Sequence, residues 1–256
     1  MNDPIQTRGH ENRLEIDAPL QAVWDALTKG AELTRWMANE ARDAAAGGRF
    51  HVSWSEHGAI DSPITIFEPL KHLRCEDTPP GAAVAFATDY FLEGKGGKTV
   101  LRIVTSGFSM DSKWDGEFDA IAQGWGYFIR NLRFYLERFR GKPCKTIGFP
   151  VTQMLPREEA FAKFAAALGL DLGAISIGTR ARASVNGFGA IEVQPDVYRK
   201  PGYLGLILGA EQDALLRIEN FAHPEGAWAY VMGLDWNKDA TRMEKFGKAL
   251  RAALGG

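Results

Sequence analysis

Two periodicities in succession limit what residues 47–140 can fold into. In GGRFHVSW, Phe50, Val52 and Trp54 alternate with polar residues, which is the two-residue period of a strand with one buried face. Similar segments follow as SPITIFEP, HLRCE, AVAFATDYFLE and KTVLRIVTSGF, with turn-forming residues between most of them. The chain then changes to a helical period over EFDAIAQGWGYFIRNLRFYLERF. This order predicts an α+β fold in which an antiparallel meander precedes one long helix.

The alternation also predicts which side chains of the last two strands share a face. These two strands are joined by the tight turn EGKGGK. The side chains predicted to share one face in each strand are Phe86, Thr88, Tyr90 and Leu92 in the first, and Leu101, Ile103 and Thr105 in the second.

The long helix keeps two glycines, Gly124 and Gly126, on either side of Trp125. A glycine in a helix interior costs about 1 kcal/mol relative to alanine. We therefore expect neighbouring backbone or a ligand to approach this turn more closely than larger side chains would allow.

The segments on either side of this region predict two domains. NRLEID has a strand pattern, and APLQAVWDALTKGAELTRWM predicts one or two short helices that begin near Pro19. The long helix ends near RFRGKPC, which is the best candidate boundary. The order strand, helix, strands, helix then partly repeats. We predict domains at 1–143 and 147–256, the second being a diverged or reduced unit of similar order.

Composition and charge exclude several classes of partner. Thirty basic and 32 acidic residues leave a formal charge of −2, so no global field draws the chain to nucleic acid or an anionic membrane. No apolar run approaches the roughly 18 residues that a membrane span requires. The polar start of the chain and two cysteines without metal or disulfide spacing favour the cytoplasm.

Familiar catalytic and cofactor motifs are absent from the sequence. GGKT at 96–99 lacks the earlier glycine of a phosphate-binding loop, and NGFGAIEV at 186–193 lacks the third glycine of a dinucleotide fingerprint. The five histidines have no metal-ligand spacing, and no nucleophile elbow occurs. Asp115, Glu117 and Asp119 would offset the dipole at the start of the long helix. We predict no catalytic residue, no metal and no cofactor.

Aromatic and large apolar side chains are the strongest candidates for a site. Buried aromatics are most often ordinary core, but a helix laid along a curved sheet need not fill the concavity, and an unfilled concavity would be a ligand pocket. The residues predicted to line such a pocket are Trp36, Trp54, Phe86, Tyr90, Ile103, Trp125, Phe128 and Leu132.

Three segments resemble a known family. RLEIDAPLQAVWDALTKGAELTRWM, FLEGKGGKTVLRIVTSGF and QGWGYFIRNLRFYLE are similar to the opening elements, the paired strands and the final helix of the activator of heat-shock-protein-90 ATPase homologue-like family. This family belongs to the START-like, or SRPBCC, superfamily. The resemblance covers about residues 11–140. It implies a helix-grip fold: a seven-stranded antiparallel sheet around one long helix, with two short helices at one end.

Three functions remain open at this point. The first is binding of a small hydrophobic or amphipathic molecule between sheet and helix. The second is a cyclase, dehydratase or hydrolase activity, as elsewhere in the superfamily, for which Tyr90 with Thr88 or Thr105 are the inward polar candidates. The third is interaction with a chaperone, which the family name suggests.

Overall fold

The computed structural model of this chain describes residues 7–54, 58–78, 84–111, 115–223, 226–237, 239 and 241–255. Within these ranges it describes all side chains except those of residues 115–117, 119–123, 222 and 223. The predicted acidic cluster of Asp115, Glu117 and Asp119 therefore lies outside the described side chains. The described residues divide into two compact units, 7–53 with 59–141, and 142–255 with Trp54 and Gly58.

The described residues of the first unit form seven strands and three helices. Their bounds are β1 Thr7–Ile16, α1 Leu20–Thr28, α2 Gly30–Leu33, β2 Glu40–Ala41, β3 Arg49–Ser53, β4 Ala59–Glu68, β5 His72–Asp77, β6 Phe86–Lys95, β7 Lys98–Ser109 and α3 Asp115–Arg138. The strands form one antiparallel sheet in the order β1-β7-β6-β5-β4-β3-β2. The meander, the two short helices and the long final helix confirm the predicted helix-grip architecture.

The predicted inner faces of β6 and β7 are correct. Tyr90 lies directly opposite Ile103, and Leu92 lies opposite Leu101. All four side chains are buried. The two-residue alternation thus identified both the strands and the side that packs inward, because only one register buries these apolar side chains.

Strand β1 begins earlier than the sequence pattern predicts. Its recognised part was NRLEID, but the strand starts at Thr7 and pairs with β7 from Thr7 opposite Ser109 to Ile16 opposite Thr99. A register shift between Arg8 and His10 interrupts this pairing. The added residues extend the inner face of the sheet with side chains that the prediction did not include.

The C-terminal end of α3 is tied to α2 through a tyrosine. Tyr135 is buried, and its hydroxyl donates a hydrogen bond to Glu32. The same oxygen accepts from the Arg35 guanidinium at 3.1 Å and from the backbone N–H of Gly141 at 2.9 Å. These bonds satisfy a buried hydroxyl and hold the helix end in place.

The second unit repeats the topology of the first with one strand fewer. Its elements are β8 Lys145–Gln153, α4 Arg157–Ala167, β9 Ala181–Val185, β10 Gly189–Arg199, β11 Tyr203–Leu208, β12 Ala214–His223, β13 Gly226–Asp235 and α5 Arg242–Leu254. The antiparallel sheet has the order β8-β13-β12-β11-β10-β9, so its first strand again pairs with its last.

The core of the second unit is filled by its two helices. Phe161 and Phe164 of α4 and Phe246 and Leu250 of α5 are buried with sheet residues such as Leu216. Its final helix has 13 residues, against 24 in α3. No helix in the described part of the chain is long and apolar enough to cross a bilayer.

Candidate functional site

The candidate site is the inner face of the first unit, where the sheet faces α3. Its aromatic part is centred on Tyr90 of β6, which is 2% exposed. The Tyr90 and Trp125 rings meet edge to face, with centroids 5.6 Å apart, and Phe50 of β3 lies 6.1 Å from Tyr90 on a tilted plane. Phe128, one turn further along α3, lies 6.4 Å from Trp125. The structure therefore brings together three of the predicted lining residues, Tyr90, Trp125 and Phe128.

A second aromatic group lies at the other end of the inner face. Phe86 and Phe108 meet edge to face at 4.9 Å, and Phe108 and Phe118 do so at 4.9 Å. His10 of β1 contacts both Phe108 and Phe118, at centroid distances of 6.1 and 5.8 Å. The Arg8 guanidinium lies 4.5 Å from the centroid of Phe118. Phe86 thus joins this group instead of the group around Tyr90.

The other predicted lining residues have different surroundings. Ile103 and Leu132 are buried in the first unit. Trp36 is fully buried just after α2, and its indole N–H donates to the carbonyl of Ala26 at 2.9 Å. Trp54 is half-buried directly after β3. Trp36 therefore has no free N–H to offer a ligand.

A row of polar side chains crosses the inner face between the two aromatic groups. His10 lies opposite Thr105, Thr105 opposite Thr88, and Thr88 opposite Cys75, on strands β1, β7, β6 and β5. Directly opposite residues in antiparallel strands project to the same side of a sheet. We call His10, Thr105, Thr88 and Cys75 the polar row.

The position of His10 depends on Gly9. A Cβ on Gly9 would lie 2.5 Å from the carbonyl oxygen of Thr105, which is too close for any side chain. The register shift between Arg8 and His10 occurs at this residue. Glycine therefore permits the bulge that sets His10 opposite Thr105.

The titratable groups near the polar row favour their uncharged forms. Burial raises the pKa of Tyr90 well above its usual range, and the nearby Cys75 adds to this shift. Burial raises the pKa of Cys75 to about 12, with a smaller contribution from Asp89. Burial lowers the pKa of His10, which disfavours the imidazolium. The phenol, thiol and imidazole are thus neutral near pH 7.

Two members of the polar row have unmet hydrogen-bonding capacity. Thr105 is fully buried, and its Oγ1 has no hydrogen-bond partner among the described residues. Both ring nitrogens of His10 are also buried without a partner within that part of the chain. Most buried polar side-chain atoms in folded proteins are hydrogen-bonded, so three such atoms on adjacent strands are unusual.

Sequence reasoning missed His10 as a site residue. The segment TRGHEN is polar and contains a glycine, so its pattern does not indicate a strand. Its signal was the inward alternation of Arg8, His10, Asn12 and Leu14, which are each less exposed than their neighbours in β1. From Thr7 to Arg13 both faces of the strand carry polar residues or glycine. Hydrophobic periodicity does not detect a strand of this composition.

Among the described residues, no backbone atom from outside α3 lies close to Gly124 or Gly126. A Cβ on Gly124 would meet no described heavy atom within 4 Å. A Cβ on Gly126 would meet only Asn12 Oδ1, at 3.8 Å, which is an ordinary contact. The expected close approach of neighbouring backbone is therefore wrong for the described residues, and approach by a ligand stays a prediction.

The described residues contain no group of three or more His, Cys, Asp or Glu side chains that could hold a metal ion. Within the polar row, Cys75 is a free thiol. What the site can offer chemically is aromatic surface, neutral hydrogen-bonding groups and, beside Phe118, the Arg8 guanidinium.

Comparison with known proteins found one matching family model, which covers most of the first unit. The model of the family described as Activator of Hsp90 ATPase homolog 1-like protein matches residues 17–137. These residues run from the end of β1 to the last turn of α3. No curated protein matches the chain.

Several solved structures are similar to this chain. Protein MLL2253 from Mesorhizobium loti is 25% identical, with 52% of this chain and 98% of that chain covered and a TM-score of 0.45. The Aha1 dimer from Colwellia psychrerythraea is 20% identical over 52% and 99% of the two chains, with a TM-score of 0.45. The di-domain ARO/CYC BexL from the BE-7585A biosynthetic pathway is 13% identical over 97% and 96%, with a TM-score of 0.42.

Proposed function

We propose that the first unit binds a small hydrophobic or amphipathic molecule between its sheet and α3. Residues 17–137 match the model of the family described as Activator of Hsp90 ATPase homolog 1-like protein, which supports this proposal. The observation that carries this proposal is the composition of the inner face. It combines aromatic groups around Tyr90 and Phe108 with buried polar atoms of Thr105 and His10 that lack partners among the described residues.

A site built only for packing would satisfy its polar groups internally. An unsatisfied buried hydroxyl costs about 1–3 kcal/mol, and this cost offsets part of what the aromatic contacts contribute. A ligand that supplies the missing partners recovers this free energy on binding. The same ligand gains from contact with the aromatic rings that flank the polar row.

An enzymatic role for the same site has weaker support. A general base must accept a proton near neutral pH. The raised pKa of Tyr90 keeps its phenol protonated, and Thr88 and Thr105 are ordinary hydroxyls. His10 is the one further neutral base on this face that the structure describes, and neither of its nitrogens contacts a hydroxyl that it could activate. Ligand binding requires no general base, so it explains these aromatic and polar side chains better than catalysis does.

Methyl-detected NMR of the full chain tests this proposal. The protein is labelled at isoleucine and leucine methyl groups and titrated with 1-naphthol, a small aromatic alcohol. We expect saturable shifts at Ile103 and Leu132, which are buried in the first unit, while Leu216 and Ile218 in the core of the second unit serve as internal controls. Shifts confined to the controls, or no saturable shift at all, would contradict the proposal.

A further inference from the structure

We propose that the ligand of the first unit presents an uncharged oxygen, a hydroxyl or a ketone, to the side chains of His10 and Thr105. This inference rests on the proposed binding function and specifies the chemistry of the ligand. It concerns the end of the polar row where β1 meets β7, next to the aromatic group of Phe86, Phe108 and Phe118.

The positions of the two side chains allow one ligand atom to contact both. His10 and Thr105 are directly opposite in the β1–β7 pairing. Cβ atoms of such a pair are about 4.5–5.5 Å apart, so an oxygen between the side chains lies within hydrogen-bonding reach of each. Thr105 is 0% exposed, and no described residue bonds its Oγ1.

The donor and acceptor inventory favours a neutral partner. A threonine hydroxyl donates one hydrogen bond and accepts others, and a neutral imidazole has one donor and one acceptor nitrogen. A ligand hydroxyl can donate to one of these groups and accept from the other. A ketone can accept from both. Either group completes the hydrogen bonds that His10 and Thr105 lack within the described residues.

The rest of the polar row argues against a charged headgroup. Thr88 and Cys75 continue the row, and neither carries a charge, because burial raises the pKa of the thiol to about 12. Burying an unpaired carboxylate or ammonium among such groups is costly. Arg8 is the cation on the same face of β1, and its guanidinium already stacks on the ring of Phe118. An anionic ligand drawn by Arg8 is therefore the alternative that the experiment must include.

The flanking aromatic rings define the rest of the ligand. Phe86, Phe108 and Phe118 meet edge to face next to His10. An aromatic ring system with its oxygen at one end would extend along these rings while the oxygen contacts the polar row. The ligand class is thus a ring-bearing alcohol or ketone.

Three probes that differ at one position test the inference on the full chain. They are naphthalene, 1-naphthol and 1-naphthoate, with dissociation constants measured by tryptophan fluorescence. We expect 1-naphthol to bind at least about fivefold more tightly than naphthalene, the value of a single neutral hydrogen bond of roughly 1 kcal/mol. We expect 1-naphthoate to bind more weakly than 1-naphthol.

Two matched substitutions in β7 assign the preference to the polar row. Thr105→Val keeps the shape and removes the hydroxyl, so it should reduce the preference for 1-naphthol over naphthalene to less than about twofold. Because that hydroxyl has no described partner, the same variant should melt no lower than the parent protein. Thr99→Val is the control: its hydroxyl donates to the Ala18 carbonyl at 2.8 Å, so its loss should lower the melting temperature and leave the preference unchanged. His10→Phe retains an aromatic ring and should also remove the preference.

The outcomes separate this inference from the proposed function. Binding of naphthalene and 1-naphthol with equal affinity would leave the binding function standing and overturn the role of His10 and Thr105. Tighter binding of 1-naphthoate, or a lower melting temperature of Thr105→Val with the preference unchanged, would do the same. Failure of all three probes to bind would overturn the proposed function and this inference with it.

Discussion

Replacing the two glycines of α3 by alanine should stabilise the helix, although both lie beside its buried tryptophan. Alanine in a helix interior is favoured over glycine by about 1 kcal/mol. The structure adds no opposing steric cost, since a Cβ on Gly124 meets no described heavy atom within 4 Å and one on Gly126 meets only Asn12 Oδ1 at 3.8 Å. We therefore expect about 1 kcal/mol from each substitution, and about 2 kcal/mol from both, because the two Cβ positions share no neighbour.

Amide hydrogen exchange on the full chain measures this effect where it occurs. Peptides covering residues 127–138 report the opening of α3 separately from the second unit. A gain of about 1 kcal/mol slows exchange roughly fivefold in the regime where exchange reports the opening equilibrium. Peptides of α5 should be unchanged, since α5 lies in the other unit, and they serve as the control.

Faster exchange in Gly126→Ala would refute the reasoning, because β1 would then approach α3 more closely than the 3.8 Å contact with Asn12 allows. The prediction that a ligand uses this space has its own readout. Stabilised variants that bind 1-naphthol more weakly would support it. Stabilised variants with unchanged binding would show that Gly124 and Gly126 are merely tolerated.

Two further predictions concern titration and the end of α3. Burial raises the pKa of Glu219 from 4.5 to about 7, so the folded state holds a proton that the unfolded state releases between these values. The second unit should therefore lose up to about 3 kcal/mol as the pH rises from 4.5 to 8, and Glu219→Gln should remove most of this loss in denaturant titrations at the two pH values; equal losses in both proteins would contradict it. Tyr135→Phe removes the hydroxyl that bonds Glu32, Arg35 and the N–H of Gly141, and should destabilise the first unit by about 1–3 kcal/mol in thermal unfolding. An unchanged melting temperature would show that these bonds form equally well with water.

Much of the first unit could be predicted because apolar periodicity and tertiary structure agree there. The alternation in β6 and β7 buries Tyr90, Leu92 and Ile103 on one face, and only one register does so. The start of β1 could not be predicted in this way. Its inward residues Arg8 and His10 are polar. This part of the strand pairs with β7 through backbone hydrogen bonds, which a hydropathy pattern does not indicate.

The candidate site was predictable in its aromatic part and only partly in its polar part: the alternation predicts that Thr88 and Thr105 face inward, but it does not identify His10 or Cys75. Tyr90 and Trp125 occupy inward positions of strongly periodic elements, so their meeting follows from the fold. The polar row depends on which residues of four strands lie opposite one another, including the bulge at Gly9. The sequence pattern of one strand does not show which residue of the neighbouring strand lies opposite it, because pairing is fixed only when the sheet assembles. Trp36 and Trp54 are aromatic residues of the kind that often line a pocket. Whether they face the site depends on the tertiary fold, which their residue type does not predict.

A crystal structure of the full chain under xenon pressure tests the central claim most directly. Xenon enters apolar cavities that remain empty in folded proteins. The account predicts a xenon peak between the sheet and α3, next to the polar row and its flanking aromatic rings, which 1-naphthol displaces. Crystals with no xenon peak and no space between the sheet and α3 would contradict it.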